Sequence, residues 1–323
     1  MKFAKTQIIA LANQKGGCGK TTSSMSIAAA FHRLGYSVAL VDTDPQCNAT
    51  RCFGVNPDEL YSQGKLSLLD AYIGKRAAVD IQVGFGDRFD GRFFVVPGNS
   101  NLSSVGPRLE LEVQVQISEI GAAEVDAEDI RREQRFRLRR SLDSLRGVHD
   151  VVIIDTPPNL DFLMTTALVA ADWFIIPAFP SGFDLQGLEA LTRSINKIRE
   201  RFNPGLQLAG VLLGNFDKSS RLDAQIQALL VKKFGPGVVF QNTIGRTVRM
   251  RELTVYNLTV FEHEPAQAQA EQFLSLVNEM INRASKGTNT LNPLPRIEEV
   301  IQHAENEPTP LAVTPAMLEV SNG

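Results

Sequence analysis

The sequence predicts an α/β fold with a doubly wound, mostly parallel sheet, and three observations predict it. Short apolar runs alternate with helical patterns along the chain, as βαβ units require. Most of these runs are apolar at successive positions, which suits strands covered by helices on both faces. The first run leads through a glycine-rich loop into a helix-like stretch at 24–34, the local context of a phosphate-binding loop.

Expected strands lie at 8–13, 38–42, 93–97, 151–155, 174–177, 208–213, 238–240 and 258–261. No internal repeat stands out. A helix is expected within 124–146, where Ile130, Leu138, Leu142 and Leu145 share a face. The same stretch carries Arg131, Arg132, Arg135, Arg137, Arg139 and Arg140. Such a charge run reads as a solvated helix face, with nucleic-acid contact as the alternative.

Composition narrows the class. The chain has 323 residues, 43% hydrophobic and 21% charged, enough for a full core and unlike a disordered chain. Net charge is −3, so any nucleic-acid contact has to come from a local basic patch. Cys18, Cys47 and Cys52 make an odd count without paired spacing, which argues against a disulfide framework and against zinc. Cys18 reads as a small residue that fits the loop. No signal-peptide pattern or long apolar span is present, so a cytosolic protein is expected. Past about position 285 the composition changes to an acidic, proline-containing tail. Two segments therefore follow: a domain at 1–285 and a tail at 286–323, whose charges sum to −3 and leave the domain neutral.

The loop itself is Lys15-Gly16-Gly17-Cys18-Gly19-Lys20-Thr21-Thr22. Glycines let backbone wrap a phosphate, and loop N–H groups with the following helix N-terminus point at the anion. Lys20 is placed to reach the β- and γ-phosphates and the Thr21 hydroxyl to hold Mg²⁺. The usual first glycine of the motif would fall at position 14, which is Gln14; a lysine at 15 follows instead.

Two further strands end in acids. Asp42 and Asp44 follow the 38–42 run and, two apart, point the same way. Asp155 ends the 151–155 run. In parallel sheets ligands bind beyond the carboxyl ends of strands, so these acids are expected beside the loop, near the metal and the γ-phosphate.

The runs ANQKGGCGKTT, LVDTDPQCNAT and VVIIDTPPN, in this order, resemble the ParA/MinD family of deviant-Walker P-loop ATPases, nearest the ParA/Soj partition branch, over roughly 7–283. The resemblance implies ATP and Mg²⁺ as cofactors. It implies that Lys15 crosses an ATP-dependent dimer interface, that Asp44 positions the hydrolytic water, and that Asp42 and Asp155 surround the metal. It also implies a homodimer with ATP that coats DNA non-specifically, at the nucleoid, and hydrolyses ATP when a cargo-bound, ParB-like partner stimulates it. Basic candidates for DNA are Lys218, Arg221, Lys232, Lys233, Arg246, Arg249 and Arg251. Asn215 is the candidate for reading adenine, while Phe216 and Trp173 read as packing residues.

One departure is visible: where the family often has Gln and Glu after the strand at 174–177, this chain has Phe179 and Ser181. Alternatives are the same mechanism with a protein cargo, a MinD-like membrane-surface regulator, which the acidic tail disfavours, and a relative of nitrogenase iron protein, which the cysteine pattern does not supply.

Overall fold

The computed structural model describes residues 3–120, 126–181, 183–235 and 237–287. Its strands are β1 (Gln7–Leu11), β2 (Val38–Asp42), β3 (Val83–Gly84), β4 (Phe93–Val96), β5 (Val151–Asp155), β6 (Trp173–Ala178) and β7 (Gln207–Leu213). They form one sheet in the order β3-β4-β2-β5-β1-β6-β7. β3 is antiparallel to β4, and every other neighbouring pair is parallel.

The described helices, in order, are α1 (Lys20–Arg33), α2 (Asn48–Cys52), α3 (Pro57–Ser62), α4 (Leu68–Tyr72), α5 (Ala78–Ile81), α6 (Val105–Ile120), α7 (Ala127–Arg135), α8 (Arg137–Leu142), α9 (Phe162–Ala170), α10 (Leu185–Phe202), α11 (Arg221–Phe234), α12 (Arg249–Tyr256) and α13 (Gln267–Gly287).

Alternation along the strands explains the apolar runs. Ile8 and Ala10 of β1 enter one core with Val152, Ile154, Phe174 and residues of α8, α9 and α10. Ile9 and Leu11 enter the opposite core with Leu40, Ile153, Phe31 of α1 and Phe273 and Val277 of α13. Both faces are covered, so neither set of alternate positions tolerates charge. Each fully buried Leu or Ile in these layers contributes about 1.5–3 kcal/mol.

The chain leaves β1 toward β2 and β4, then returns through β5 to build β6 and β7 on the other side. The reversal sits at the centre of the sheet, and a crevice opens there beyond the carboxyl ends of the strands. Register places Asp42 directly opposite Asp155, and Leu11, the last residue of β1, beside Asp155 as well.

Several expected elements differ. Residues 238–240 do not form a strand of the sheet. They run beside β7 through only two backbone bonds, Val211 N–H to Val238 O at 2.7 Å and Phe240 N–H to Val211 O at 3.0 Å. Gly235, at φ 92, turns the chain out of α11 just before this stretch, and Arg283 donates to the carbonyls of Gly237 and Val239. Residues 258–261 are turns, not a strand. Their polar groups are satisfied locally, by Thr259 N–H on Glu262 Oε2 and Glu262 N–H on Thr259 O, after α12 ends at a left-handed Asn257. β3 is only two residues long and carries no periodic signal.

The helix expected within 124–146 breaks at Phe136 into α7 and α8, with a short 3₁₀ turn at Asp143–Leu145; residues 124 and 125 lie outside the described set. Its arginines are largely engaged within the protein. Arg131 pairs with Glu110 at 2.7 Å and with Glu128 at 2.8 Å. Arg137 pairs with Glu112 and Arg140 with Glu133. Arg135 lies over the rings of Phe162 and Phe202. Three of the six arginines are thus paired with carboxylates of the protein and a fourth lies on aromatic rings, so part of the run's charge is spent internally. The tail expected from 286 falls, past Gly287, outside the described residues.

Candidate active site

The loop between β1 and α1 is pinned at its entry by a side chain. Asn13 Nδ2 donates to Pro177 O at 2.6 Å, and Asn13 Oδ1 accepts from Lys15 N–H at 3.0 Å. Gly17 and Gly19 take φ values of 71° and 82°, backbone that an L side chain resists. Gly19 is the N-cap of α1, so this left-handed residue is what turns the loop into the helix.

α1 begins without a side-chain cap and without an acidic residue in its first turn. Its leading N–H groups therefore keep their capacity for an external acceptor, and the helix dipole adds to the attraction for an anion. Lys20 is buried, with Nζ donating to Lys15 O at 3.2 Å across the loop. Cys18 is buried under the loop, and burial pushes its thiol up, with Lys20 opposing this; it is a packing residue rather than a thiolate.

The acids lie beneath. Asp42 and Asp155 are completely buried. Burial raises both carboxyls above the usual carboxylate range; the charge of Asp42 adds to the rise of Asp155, and that of Asp44 adds to both. Their partners differ. Asp42 Oδ2 accepts from Thr50 N–H and Thr50 Oγ1, both at 2.7 Å, and Oδ1 from Asp44 N–H at 3.2 Å. Both carboxyl oxygens of Asp155 lack a hydrogen-bond partner among the described residues. The Thr21 and Ser24 hydroxyls of α1 lie close enough to offset part of its rise. Asp44 is buried at the cleft wall, with Oδ1 accepting from Gln46 N–H at 2.9 Å.

Above the loop opens a cleft of about 1060 Å³. Gly16, Gly17, Gly19, Lys20, Thr21 and Thr22 line it on one side, and Asp44 and Asn215 elsewhere. Arg246 and Arg251 close it from the far wall, with Met250 and Thr254 of α12. Asn215 has φ 52°, which turns the backbone at the mouth just past β7. Lys15 is exposed on the outer side of the loop.

The structure thus gathers the loop, the acids and two of the basic candidates at one sheet edge. Lys218, Arg221 and Lys232 are exposed on the β7–α11 side and do not line the cleft. Arg249 is exposed and pairs with Glu252 at 2.8 Å. Lys233 is a correction: it is 5% exposed, with Nζ 3.2 Å from Glu189 Oε1, so it is an internal ion pair and not a phosphate contact. The helical phase of α11 turns it inward, while Lys232 beside it faces out. Phe216 is buried and Trp173 packs against the second core, donating from Nε1 to Gln7 Oε1 at 2.9 Å.

Two residues of the site escaped the sequence reading. Thr50 holds Asp42 from eight positions away, and nothing local marks it. Asn13 had a signal, an amide at the end of an apolar strand just before a glycine-rich loop.

Whether these residues fit Mg²⁺ and a polyphosphate is decided by the orphaned buried carboxylate. Asp155 presents two unpartnered oxygens beside the Thr21 hydroxyl, below an uncapped helix N-terminus and a buried lysine. A hard cation takes oxygen donors of that kind, and the loop supplies the donors for an anion. The residues fit.

Comparison with known proteins agrees. A family model described as an AAA domain matches residues 6–208. Chromosome partitioning protein ParA of Caulobacter vibrioides is 32% identical over 279 residues, 86% of this chain and 94% of that protein. Chromosome-partitioning ATPase Soj of Thermus thermophilus is 33% identical over 286 residues, 88% of this chain and 100% of that protein. Among solved structures, cobyrinic acid a,c-diamide synthase from Mycobacterium smegmatis with bound ATP analog and magnesium is similar at a TM-score of 0.67 and 26% identity, over 87% of this chain and 97% of that one. The matched stretch takes in the loop, both acid-tipped strands and the sheet from β1 to β6, and the curated relatives align along nearly their whole length, so this chain belongs to the ParA/MinD family of P-loop ATPases.

Proposed function

We propose that the protein is an ATP-hydrolysing partition or positioning protein, with ATP and Mg²⁺ as cofactors. The observation that carries the ATPase reading is Asp155, a buried carboxylate with two unpartnered oxygens directly under an uncapped helix N-terminus. Its similarity to ParA and Soj supports the partition role.

Thr21 and Asp155 would hold Mg²⁺, and Asp42 would stand behind them. Bonded to Thr50 and to the Asp44 N–H, Asp42 shapes the turn that presents Asp44. The metal, when bound, neutralises charge on the β- and γ-phosphates. Lys20 and the first N–H groups of α1 bind the phosphates; Gly16, Gly17, Gly19 and Thr22 wrap them. Asp44 orients a water for in-line attack on the γ-phosphorus, and the bond to the bridging oxygen breaks to give ADP and phosphate. Asn215 contacts the base. Lys15, exposed at the loop, reaches the nucleotide of a second copy, so that an ATP-bound homodimer completes the site.

DNA binding falls to the exposed basic residues: Arg246, Arg249 and Arg251 near the cleft, with Lys218, Arg221 and Lys232 on the neighbouring surface. Arg246 and Arg251 sit where nucleotide occupancy can alter them, through the cleft that they share with Lys20. A cargo-bound, ParB-like activator stimulates hydrolysis and releases the DNA. Residues 1–285 form the ATPase domain and the remainder an acidic tail. No described helix is long and apolar enough to cross a membrane, and a cytoplasmic, nucleoid-associated location follows from the DNA reading.

The test is binding to a non-specific duplex with ATP, ADP or no nucleotide across a salt series. Binding that requires ATP and weakens steeply with salt is expected. Absence of binding in every state would remove the partition role and leave the ATPase assignment.

A further inference from the structure

We propose that Phe179 is a positioning residue for the phosphate loop, a ring wedged between the loop and the end of β7 that holds both in register for ATP. This rests on the reading of the cleft as an ATP site.

Phe179 follows β6 directly and lines the cleft. A Cβ built on Gly19 would lie 2.8 Å from its Cζ, and one built on Gly214 would lie 2.8 Å from its Cε1. The ring thus fills a slot that exists only because the residues on both sides lack side chains. Gly19 ends the phosphate loop and caps α1; Gly214 is the first residue past β7 and precedes the left-handed Asn215.

The two residues before Phe179 reach the same two elements through their carbonyls. Pro177 O accepts from Asn13, which also accepts from Lys15 N–H at the loop entry. Ala178 O accepts from Gly214 N–H at 2.9 Å. Three consecutive residues at the end of β6 therefore fix the loop at entry and exit and tie the exit to the β7 wall. The bond from Gly214 to Ala178 is backbone to backbone and available to any sequence, and the one to Pro177 needs only the Asn13 amide. The ring is the part that this chain adds, and it bears on Gly19, the left-handed N-cap of α1 at φ 82°, which no side-chain cap holds.

The opposed glycines supply the test. Gly214 is outside the left-handed region, so an alanine there is opposed only by the ring. Binding of a non-hydrolysable ATP analogue with Mg²⁺ to the full chain, by calorimetry, is the measurement. Phe179→Ala is expected to weaken binding about tenfold, because a loosened support misplaces the groups it carries. Phe179→Leu, which keeps an apolar body in the slot, is expected to recover most of the loss. Gly214→Ala is expected to weaken binding about tenfold alone, but by less than about twofold when added to Phe179→Ala, since contacting residues are non-additive. Gly214→Ala weakening binding by the same factor in both backgrounds would overturn the wedge. Phe179→Ala binding within about twofold of the unaltered protein would overturn it also. If the unaltered protein does not bind the analogue, the ATP reading fails and takes this proposal with it.

Discussion

Replacing Asp155 by Asn isolates the strain that the site carries without its cation. The carboxylate is completely buried, neither oxygen has a partner among the described residues, and Asp42 lies opposite in the sheet register. An unsatisfied buried polar group costs about 1–3 kcal/mol, more when charged. Asn keeps the shape and cannot ionise, so it escapes the cost of charging a buried group, about 1.4 kcal/mol for each pH unit by which the pKa is raised, while keeping the smaller cost of an unpartnered amide; the protein without nucleotide is expected to gain about 1–3 kcal/mol net. At about 2 °C per kcal/mol for a chain of this length, its melting temperature rises about 2–6 °C. The increment that Mg²⁺ adds in the presence of ATP is expected to disappear in the same variant.

Linkage supplies a second reading of that variant. Asp155 and Asp42 have folded-state pKa values raised above their unfolded ones by burial. Between the two values the folded state holds a proton that the unfolded state has lost. Stability from this pair is therefore fully present below the unfolded pKa, falls as pH rises between the two values, and is gone once pH has risen through the folded pKa. Asp155→Asn should flatten that part of the profile. Thermal melts with and without Mg²⁺ and ATP across pH are the assay. An Asn variant that melts no higher than the unaltered protein without ligand, and still gains stability from Mg²⁺, would refute the account of Asp155 as an uncompensated acid awaiting a cation.

Other expectations follow from the same geometry. Lys20→Ala removes the buried cation under the loop, and titration with an ATP analogue should show no measurable binding; retained tight binding would take Lys20 out of the site. Asp44→Ala should bind ATP and lose turnover, holding an ATP-bound dimer on DNA; normal steady-state hydrolysis would shift the role to Asp42. Arg251→Ala should lower the salt slope of DNA binding by about one unit. Lys233→Ala should leave that slope unchanged and cost about 1–2 kcal/mol in denaturant unfolding, because it removes the buried partner of Glu189, which Arg193 at 3.9 Å replaces only in part. His149 is buried between Ser37 and Gln82, and burial lowers its pKa below the ordinary 6.5. The unfolded chain then takes up the proton first, so this part of the stability is present above pH 6.5 and is lost as pH falls below it. His149→Asn should reduce the acid-side loss, and an unchanged profile would place the loss elsewhere.

Local and periodic features were legible in the chain. Apolar runs of four or five residues marked β1, β2 and β5, because strands covered on both faces need apolar residues at successive positions. The loop from Lys15 to Thr22 was legible because its function lies in backbone that only a particular run of glycines permits. Asp42, Asp44 and Asp155 were legible because the acid stands at the end of its strand, and parallel strands bring their ends to one edge.

What escaped depends on contacts between distant segments. Residues 238–240 and 258–261 are apolar enough for strands, yet a strand needs an unoccupied ladder beside it. The first finds only two bonds along β7, and the second closes on its own turns. Lys232 and Lys233 are equivalent in composition, but one helical step turns the second toward Glu189. Thr50 is an unremarked threonine until the fold sets it under Asp42. Phe179 could be seen to depart from its family, but its slot needs Gly19 and Gly214, 195 residues apart in sequence, brought to either side of one ring. By itself the sequence determined the six parallel strands, the loop and the acids, which follow from short-range pattern and strand geometry. Only the tertiary structure decided which charges are spent inside the protein and which carboxylate is left without a partner, because burial and pairing are properties of neighbours that the chain order does not contain.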